Sequence, residues 1–177
     1  MVLDQRPDLT DTLNVKSVEH GGHGIMAQRP IMKRINTKLE KVYRDILRIE
    51  ETELRHSRFS NLSISEMHTI DAIGLHATPT SRTVAQRLHV TQGTLTVAIK
   101  HLVTKGYVER VHDPKDARIV NLQLTRKGRL MYRAHQAFHQ QMVASFVQGF
   151  DDHDIQLIEA ALDNLMAFIN EQDQKRP

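Results

Sequence analysis

The fold is decided by residues 91–124, which read TQGTLTVAIKHLVTKGYVERVHDPKDARIVNLQL. Thr91 can cap the first turn of a helix, and Gly106 suits the position just after the last helical residue. The apolar residues between them recur at helical spacing and are expected to face a core. They are Leu95, Ile99, Leu102 and Val103. The stretch therefore opens with one amphipathic helix.

Two β-forming segments follow this helix, at 108–111 and 119–124, and a polar turn that contains Pro114 separates them. Two further helices precede the helix that Thr91 can cap. Residues 63–66 read SISE, a capping box that opens a helix to about Leu75, and TPTS at 78–81 opens the second. The order helix, tight turn, helix and hairpin predicts a winged helix-turn-helix module.

Longer helices with narrow apolar seams flank this module. The first seam consists of Ile35, Leu39, Val42, Ile46 and Ile49. The second consists of Ile155, Ile158, Leu162, Leu165 and Ile169, and it follows a helix from Arg126 to about Gln148 that Thr125 can cap. Seams this narrow suit helices that pair with a second subunit, and a hairpin within one chain is the alternative.

These patterns predict a mainly α-helical protein with a small two- or three-stranded β-wing. We assign residues 61–125 to the DNA-binding domain, and residues 32–60 with 126–170 to a helical dimerisation domain. Residues 1–31 lack a sustained apolar period and are interpreted as a flexible extension, and residues 171–177 as a flexible tail.

Charge is segregated along the chain. Residues 78–133 hold 11 Lys or Arg against 3 Asp or Glu, whereas residues 134–170 hold 0 against 5. A basic block beside acidic segments is typical of a module that meets phosphates, although an accidental cluster on a solvated face would look the same.

Several function classes are excluded or disfavoured by the composition. The chain has no cysteine, which excludes disulfides and thiolate chemistry. No apolar run approaches the about 20 residues that a membrane span needs, and no signal peptide is evident, so we expect a cytoplasmic protein with no membrane partner. No phosphate-binding glycine loop, nucleophile elbow or His-Glu-x-x-His sequence is present, so we predict that it is not an enzyme.

The end of the helix, the hairpin and the restart of the next helix resemble MarR repressors. The residues concerned are LVTKGYVER at 102–110, Asp113, DAR at 116–118 and LQLTRKG at 122–128. Within that family, ISEMHTID at 64–71 and GRL at 128–130, with His135 and His139, are most similar to FabT-type repressors of bacterial fatty-acid synthesis. The resemblance implies a homodimer that binds a pseudo-palindromic operator in double-stranded DNA.

Helix geometry and this resemblance together suggest the DNA-binding residues. With Leu95, Ile99 and Leu102 facing inward, the polar side chains expected at the major groove are Gln92, Thr94, Thr96 and Lys100. Arg118 is expected in the minor groove, with Asp116 holding its guanidinium and Lys115 beside it in the wing. Ser81 and Arg82 are expected to meet phosphate at a helix N-terminus.

The resemblance also implies an effector. A FabT-type repressor requires no cofactor and takes a long-chain acyl group on acyl carrier protein as corepressor. Apolar residues expected to line the acyl site are Ile70, Ile73, Met131 and Phe138. A zinc-responsive regulator is the alternative. His135 and His139 lie four residues apart on one helix face, a spacing that can bind zinc, and Glu50 and His68 are similar in position to ligands of zinc-sensing MarR repressors. The other interpretation is that these histidines form hydrogen bonds at a polar end of the effector cavity. A protein-interaction adaptor without a DNA role is a third hypothesis.

Overall fold

The computed structural model describes residues 25–113, 116 and 118–175. Within these residues the chain forms six helices and two strands. They are α1 (Ile25–His56), α2 (Ile64–Ile73), α3 (Ser81–Arg87), α4 (Gln92–Thr104), β1 (Val108–His112), β2 (Val120–Leu124), α5 (Arg126–Phe146) and α6 (Asp152–Gln174). Among the described residues, no helix is both long enough and apolar enough to span a membrane.

Five of the helices begin at a side-chain cap. In each, the capping oxygen accepts a hydrogen bond from the backbone N–H three residues further along, which satisfies a donor that the helix itself leaves unpaired. The caps are Ser63, Thr80, Thr91, Thr125 and Asp151. At Ser63 the capping box is complete, because the Glu66 carboxylate accepts from the Ser63 backbone N–H in return. The predicted helix starts at Ser63, Thr91 and Thr125 are confirmed.

The hairpin forms the predicted wing. Strands β1 and β2 are antiparallel, with Val108 opposite Leu124 and His112 opposite Val120. A bridge between Thr80 and Asn121 adds a short third segment beside β2. The predicted fold class, mainly α-helical with a two- or three-stranded wing, is therefore confirmed.

One apolar core lies beneath the helix-turn-helix and the wing. It takes residues from α2, α3, α4, both strands and α5, and its least exposed side chains include Ile70, Ile73, Val84, Leu95, Ile99, Leu102, Tyr107, Leu122 and Leu124. Burial of these side chains is the main source of the module's stability, since each fully buried aliphatic side chain contributes about 1.5–3 kcal/mol.

The chain divides into two compact units between Thr52 and Glu53. The second unit contains the winged helix-turn-helix elements together with α5 and α6. This division differs from the predicted domains, which grouped residues 32–60 with 126–170. That grouping requires a second subunit and remains a prediction.

Helices occupy part of the two ends that were predicted to be flexible. Helix α1 begins at Ile25 and continues through Pro30, so 25–31 are helical rather than part of an extension. Pro30 is the sixth residue of this helix, and because proline has no backbone N–H it removes one hydrogen bond, to the carbonyl four residues earlier. At the other end, α6 continues to Gln174, so residues 171–174 are helical. Glutamate and glutamine, which make up most of this segment, lose little side-chain freedom in a helix. Residues 1–24, 176 and 177 lie outside the described residues.

Candidate nucleic-acid interface

Helix α4 has the two faces that the sequence predicts. Leu95, Ile99 and Leu102 are at most 1% exposed and hold one side against the core. The four residues expected at the major groove are all exposed, namely Gln92, Thr94, Thr96 and Lys100. The helix therefore presents a polar face to solvent on a rigid support, as base recognition requires.

The hydroxyl groups on this face are already engaged in the helix itself. Thr94 Oγ1 lies 2.9 Å from Oγ1 of the capping residue Thr91, and Thr96 Oγ1 donates to the Gln92 carbonyl at 2.7 Å. Within the described residues, the Gln92 amide and the Lys100 ammonium, unlike the threonine hydroxyls, are not hydrogen-bonded to the helix or its cap. They are therefore the polar groups of this face best suited to reach a base edge or a phosphate.

The wing holds its arginine outward. Arg118 is bidentate to Asp116, with Nε 3.0 Å from Oδ1 and Nη2 2.9 Å from Oδ2, while 91% of its side-chain surface is exposed. The hydrogen bonds from Arg118 hold the pKa of Asp116 below its ordinary value, and the same contact raises the pKa of Arg118. The predicted pairing is confirmed, and it fixes the guanidinium's direction without burying it. Lys115 lies outside the described residues.

The wing loop is braced from within. The Asp116 backbone N–H donates to Asp113 Oδ1 at 3.3 Å, and Asn121 Nδ2 donates to Asp113 Oδ2 at 3.3 Å. Asp113 thus ties the loop to β2, and the position of Arg118 follows from this brace as well as from Asp116.

The N-terminus of α3 lies on the helix-turn-helix beside Thr80. Ser81 is half-buried and Arg82 is exposed. Arg87, at the other end of α3, is committed differently, since its Nη1 donates to the Ala72 carbonyl at 2.8 Å. The phosphate contacts expected of Ser81 and Arg82 stay a prediction.

An ion pair between a half-buried lysine and a buried carboxylate, which the sequence did not reveal, anchors the C-terminal end of α4. Lys105 Nζ donates to both oxygens of Glu66, at 2.8 and 2.7 Å, and the Glu66 side chain is only 6% exposed. Burial acts to raise the pKa of Glu66, but the hydrogen bonds from Lys105 and Ser63 outweigh it and the pKa is lowered. The capping box identified Glu66, yet its partner lies 39 residues away.

The predicted effector residues belong mostly to the core. Ile70, Ile73 and Met131 are buried, and Phe138 is half-buried with its ring centroid 5.5 Å from that of His139. A surface groove of about 540 Å³ lies elsewhere, between the N-terminal end of α2 and α4, and none of these four residues lines it. The acyl site they were expected to form remains a prediction.

Three of the four predicted metal ligands come together in the second compact unit. His135 Nε2 and His139 Nε2 are 3.0 Å apart, and the ring centroids of His68 and His135 are 5.7 Å apart. His135 Nδ1 lies 3.4 Å from Asp71 Oδ1. The contact with His135, and then that with Gln136, holds the pKa of Asp71 below its ordinary value. Glu50 lies on α1 in the first unit.

The fold and this interface define a winged helix-turn-helix regulator that binds DNA. A family model described as the MarR family matches residues 60–119. The structure is similar to FabT of Streptococcus pneumoniae, solved in complex with DNA, with a TM-score of 0.73 and 42% sequence identity. The match covers 80% of this chain and 99% of that one. The chain belongs to the MarR family of transcription regulators, and it is not an enzyme.

Other relatives share shorter or weaker similarity. The transcriptional regulator AdcR of Streptococcus pneumoniae is 36% identical over 69 residues, which are 39% of this chain and 47% of AdcR. An uncharacterized regulator of Bacillus subtilis, YhjH, is 21% identical over 103 residues, and the chain spans about three-fifths of its length (59%). A MepR–DNA complex from S. aureus has a TM-score of 0.61 at 17% identity and supports the fold alone.

Proposed function

We propose that this protein is a FabT-type repressor of fatty-acid biosynthesis genes. It acts as a homodimer on a pseudo-palindromic operator in the cytoplasm, and long-chain acyl carrier protein is its corepressor. The observation that carries this proposal is the 42% identity to a FabT crystallised on DNA, over 99% of that chain. The exposed polar face of α4 and the outward Arg118 support the same reading.

The DNA-binding mode follows from the geometry of one subunit. Helix α4 enters the major groove with Gln92 and Lys100 toward the base edges and phosphates. Arg118, fixed by Asp116 and 91% exposed, reaches the adjacent minor groove, where narrow A·T-rich stretches attract guanidinium groups. Arg82 and the backbone N–H of Ser81 contact phosphate, and Lys115 adds charge at the wing.

The terminal helices supply the dimer contacts. On α1, Ile35, Leu39 and Val42 remain about half exposed in the single chain, although they form the apolar seam. On α6, separately, the seam residues Leu162, Leu165 and Ile169 are also exposed, together with Met166 and Phe168. Exposed apolar stripes of this length are expected to be covered by a second copy, because water contact along them is unfavourable.

In this proposal, binding of the corepressor depends on the distance between helices α2 and α5. Ile70 and Ile73 on α2 are completely buried, and Met131 on α5 is 4% exposed. These side chains can contact an acyl chain only if α2 and α5 move apart, so the ligand selects a conformation that differs in the placement of the DNA-binding elements. Phe138, half-buried on α5, lies beyond Met131 along the same helix and extends the acyl site.

A zinc-responsive regulator is the second candidate, and the histidine contacts favour it. If His135 Nδ1 donates to Asp71, its Nε2 carries the lone pair and faces His139 Nε2, so a metal would take the place of the contact between the two rings, with the carboxylate in the second sphere as at many zinc sites. His139 Nε2 lies 3.0 Å away, and His68 is adjacent. Glu50 is the fourth proposed ligand. Zinc prefers four nitrogen or oxygen ligands at about 2.0–2.2 Å.

The test is operator affinity under four conditions: zinc, chelator, acyl carrier protein with a long chain, and the unloaded carrier. The duplexes are taken from the promoters of the organism's own fatty-acid synthesis genes. We expect only the loaded carrier to tighten binding, by tenfold or more, since burial of two methylenes would suffice at about 0.8 kcal/mol each.

A zinc response of similar size would overturn the acyl proposal in favour of the second candidate. That response should be abolished by His139→Ala and kept by His153→Ala, which removes an exposed histidine on α6. Binding that is equally strong on unrelated duplexes would contradict both candidates.

A further inference from the structure

Val97 is the most exposed apolar side chain on α4, with 56% of its surface accessible. At 100° per residue it points almost directly away from Leu95, Ile99 and Leu102, which are buried. Lys100 lies one turn further along the same outer face. Val97 therefore stands at the centre of the surface that α4 presents to a groove.

The polar side chains around Val97 offer few hydrogen bonds of their own. Thr94 Oγ1 is engaged with the cap at Thr91, and Thr96 Oγ1 with the Gln92 carbonyl. Thr104 Oγ1, on the last turn, donates to the Lys100 carbonyl at 3.0 Å. Because the hydroxyls of Thr96 and Thr104 donate to the helix backbone and that of Thr94 is engaged with Thr91, they are less available to a base edge than the Gln92 amide and the Lys100 ammonium.

One turn of the helix before Val97 lies a residue without a side chain. Gly93 precedes Val97 by one turn on the same face, and a Cβ added there would meet only Thr91 Oγ1, at 3.8 Å. A glycine in an exposed first turn reduces helix stability relative to alanine, but it lets a ligand approach the backbone closely. On one side Val97 thus has a helix turn without a side chain, which a base pair can approach, and on the other it lines the groove between α2 and α4.

From this arrangement we infer that Val97 is a specificity-determining residue that reads thymine through its C5 methyl group. The inference rests on the proposed DNA-binding function and deepens it. In the major groove, the thymine methyl is the apolar group by which a base pair is distinguished, and a valine can neither donate nor accept a hydrogen bond. Val97 favours thymine by apolar contact, while Gln92 supplies the amide that can pair with adenine.

The experiment removes single methyl groups from the DNA. A duplex is first selected by the full-length protein from a random 20-base-pair library. Each thymine of one half-site is then replaced in turn by deoxyuridine, which lacks only the C5 methyl, and the affinity is measured for the wild type and for Val97→Ala. At one or two positions we expect deoxyuridine to weaken wild-type binding about fourfold, the equivalent of about 0.8 kcal/mol.

The same deoxyuridine positions should have little effect on Val97→Ala, because the side chain that met the methyl is gone. Val103→Ala is the matched control: it removes the same atoms from the same helix at a residue that is 39% exposed, and it should keep the wild-type deoxyuridine pattern. Thermal unfolding of both variants checks that the module remains folded.

The possible outcomes distinguish a failure of the role proposed for Val97 from a failure of the DNA-binding proposal. Deoxyuridine effects that are equal in wild type and Val97→Ala would show that another residue reads the methyls, and an absence of any effect would show that none is read. Either result overturns the role of Val97 while leaving sequence-specific binding intact. A library that yields no enriched sequence would overturn the DNA-binding proposal and this inference together.

Discussion

Gly128 lies directly against the backbone of Tyr107. A Cβ placed on Gly128 would overlap the Tyr107 carbonyl oxygen and stand 3.3 Å from the Leu124 Cβ. That same carbonyl accepts a hydrogen bond from the Thr125 backbone N–H at 3.0 Å, just before α5 begins. The start of α5 is thus joined to the wing at a point where the absence of a side chain is required.

Gly128→Ala should therefore destabilise the protein, even though alanine is the better helix former. We expect a loss of about 1–3 kcal/mol in the free energy of unfolding, as for other overpacked sites, measured by urea denaturation. Gly93→Ala is the control: its site is open, and the substitution should raise stability by up to about 1 kcal/mol. Equal effects at both glycines would contradict the contact described here.

Arg118→Ala should weaken operator binding by about tenfold without changing the melting temperature. The reason is that the side chain is 91% exposed, so folding depends little on it, while the proposed minor-groove contact would be lost. Asp116→Asn should have a smaller effect in the same direction, since it loosens the guanidinium but does not remove it. Fluorescence anisotropy with a labelled operator measures both, and Arg133→Ala, an exposed arginine on α5, is the control. Unchanged affinity would remove Arg118 from the interface.

The Glu66–Lys105 pair should behave as a buried ion pair. Lys105→Met removes the cationic partner of a carboxylate that is 6% exposed and leaves it the Ser63 backbone N–H, with His101 Nδ1 3.7 Å away, so we expect a loss of about 1–3 kcal/mol of unfolding free energy. The double variant Glu66→Gln, Lys105→Met should recover part of that loss, because the buried charge is gone. The exposed pair Lys175–Glu171 provides the comparison: Glu171→Gln should leave the urea midpoint of unfolding nearly unchanged, because water screens this pair.

The same carboxylate predicts a pH dependence. Because the pKa of Glu66 is lower in the folded chain than the ordinary value of 4.5, its contribution is present above that value and is lost as the pH falls through the folded pKa. The stability difference between wild type and Glu66→Gln should therefore shrink as the pH is lowered from 7 toward 3. A difference that grows on acidification would show that the sign assigned to the Glu66 shift is wrong.

The exposed seam of α6 should control the oligomeric state. Replacing Leu162 and Leu165 together by glutamate places two charges on the apolar stripe, so sedimentation at micromolar concentration should change from dimer to monomer. Gln156→Glu adds a negative charge on an exposed position of the same helix away from the seam and should leave the dimer unchanged. A wild-type chain that sediments as a monomer would contradict the homodimer proposal directly.

Local patterns in the sequence were enough to locate the starts of the central helices. Ser63, Thr91 and Thr125 cap the helices that the pattern assigned to them, and Gly106 follows α4 with a positive φ of 75° that favours glycine. These features are local: a capping oxygen meets a backbone N–H three residues away, so neighbouring residues are enough to specify it.

Contacts between distant residues were decided by the tertiary structure. The capping-box pattern identified Glu66 from the sequence. Only the packing of α2 on α4 shows that Lys105 donates hydrogen bonds to the Glu66 carboxylate. Likewise Tyr107 Oη donates to Asn61 Oδ1 at 2.7 Å, across 46 residues of sequence. Such pairs depend on how helices pack, and amphipathic periodicity fixes which face is buried without fixing which residue it meets. The helix starts and the faces of α4 were thus readable from the chain, whereas the anchoring of α4 and the closeness of Gly128 to Tyr107 required the folded structure.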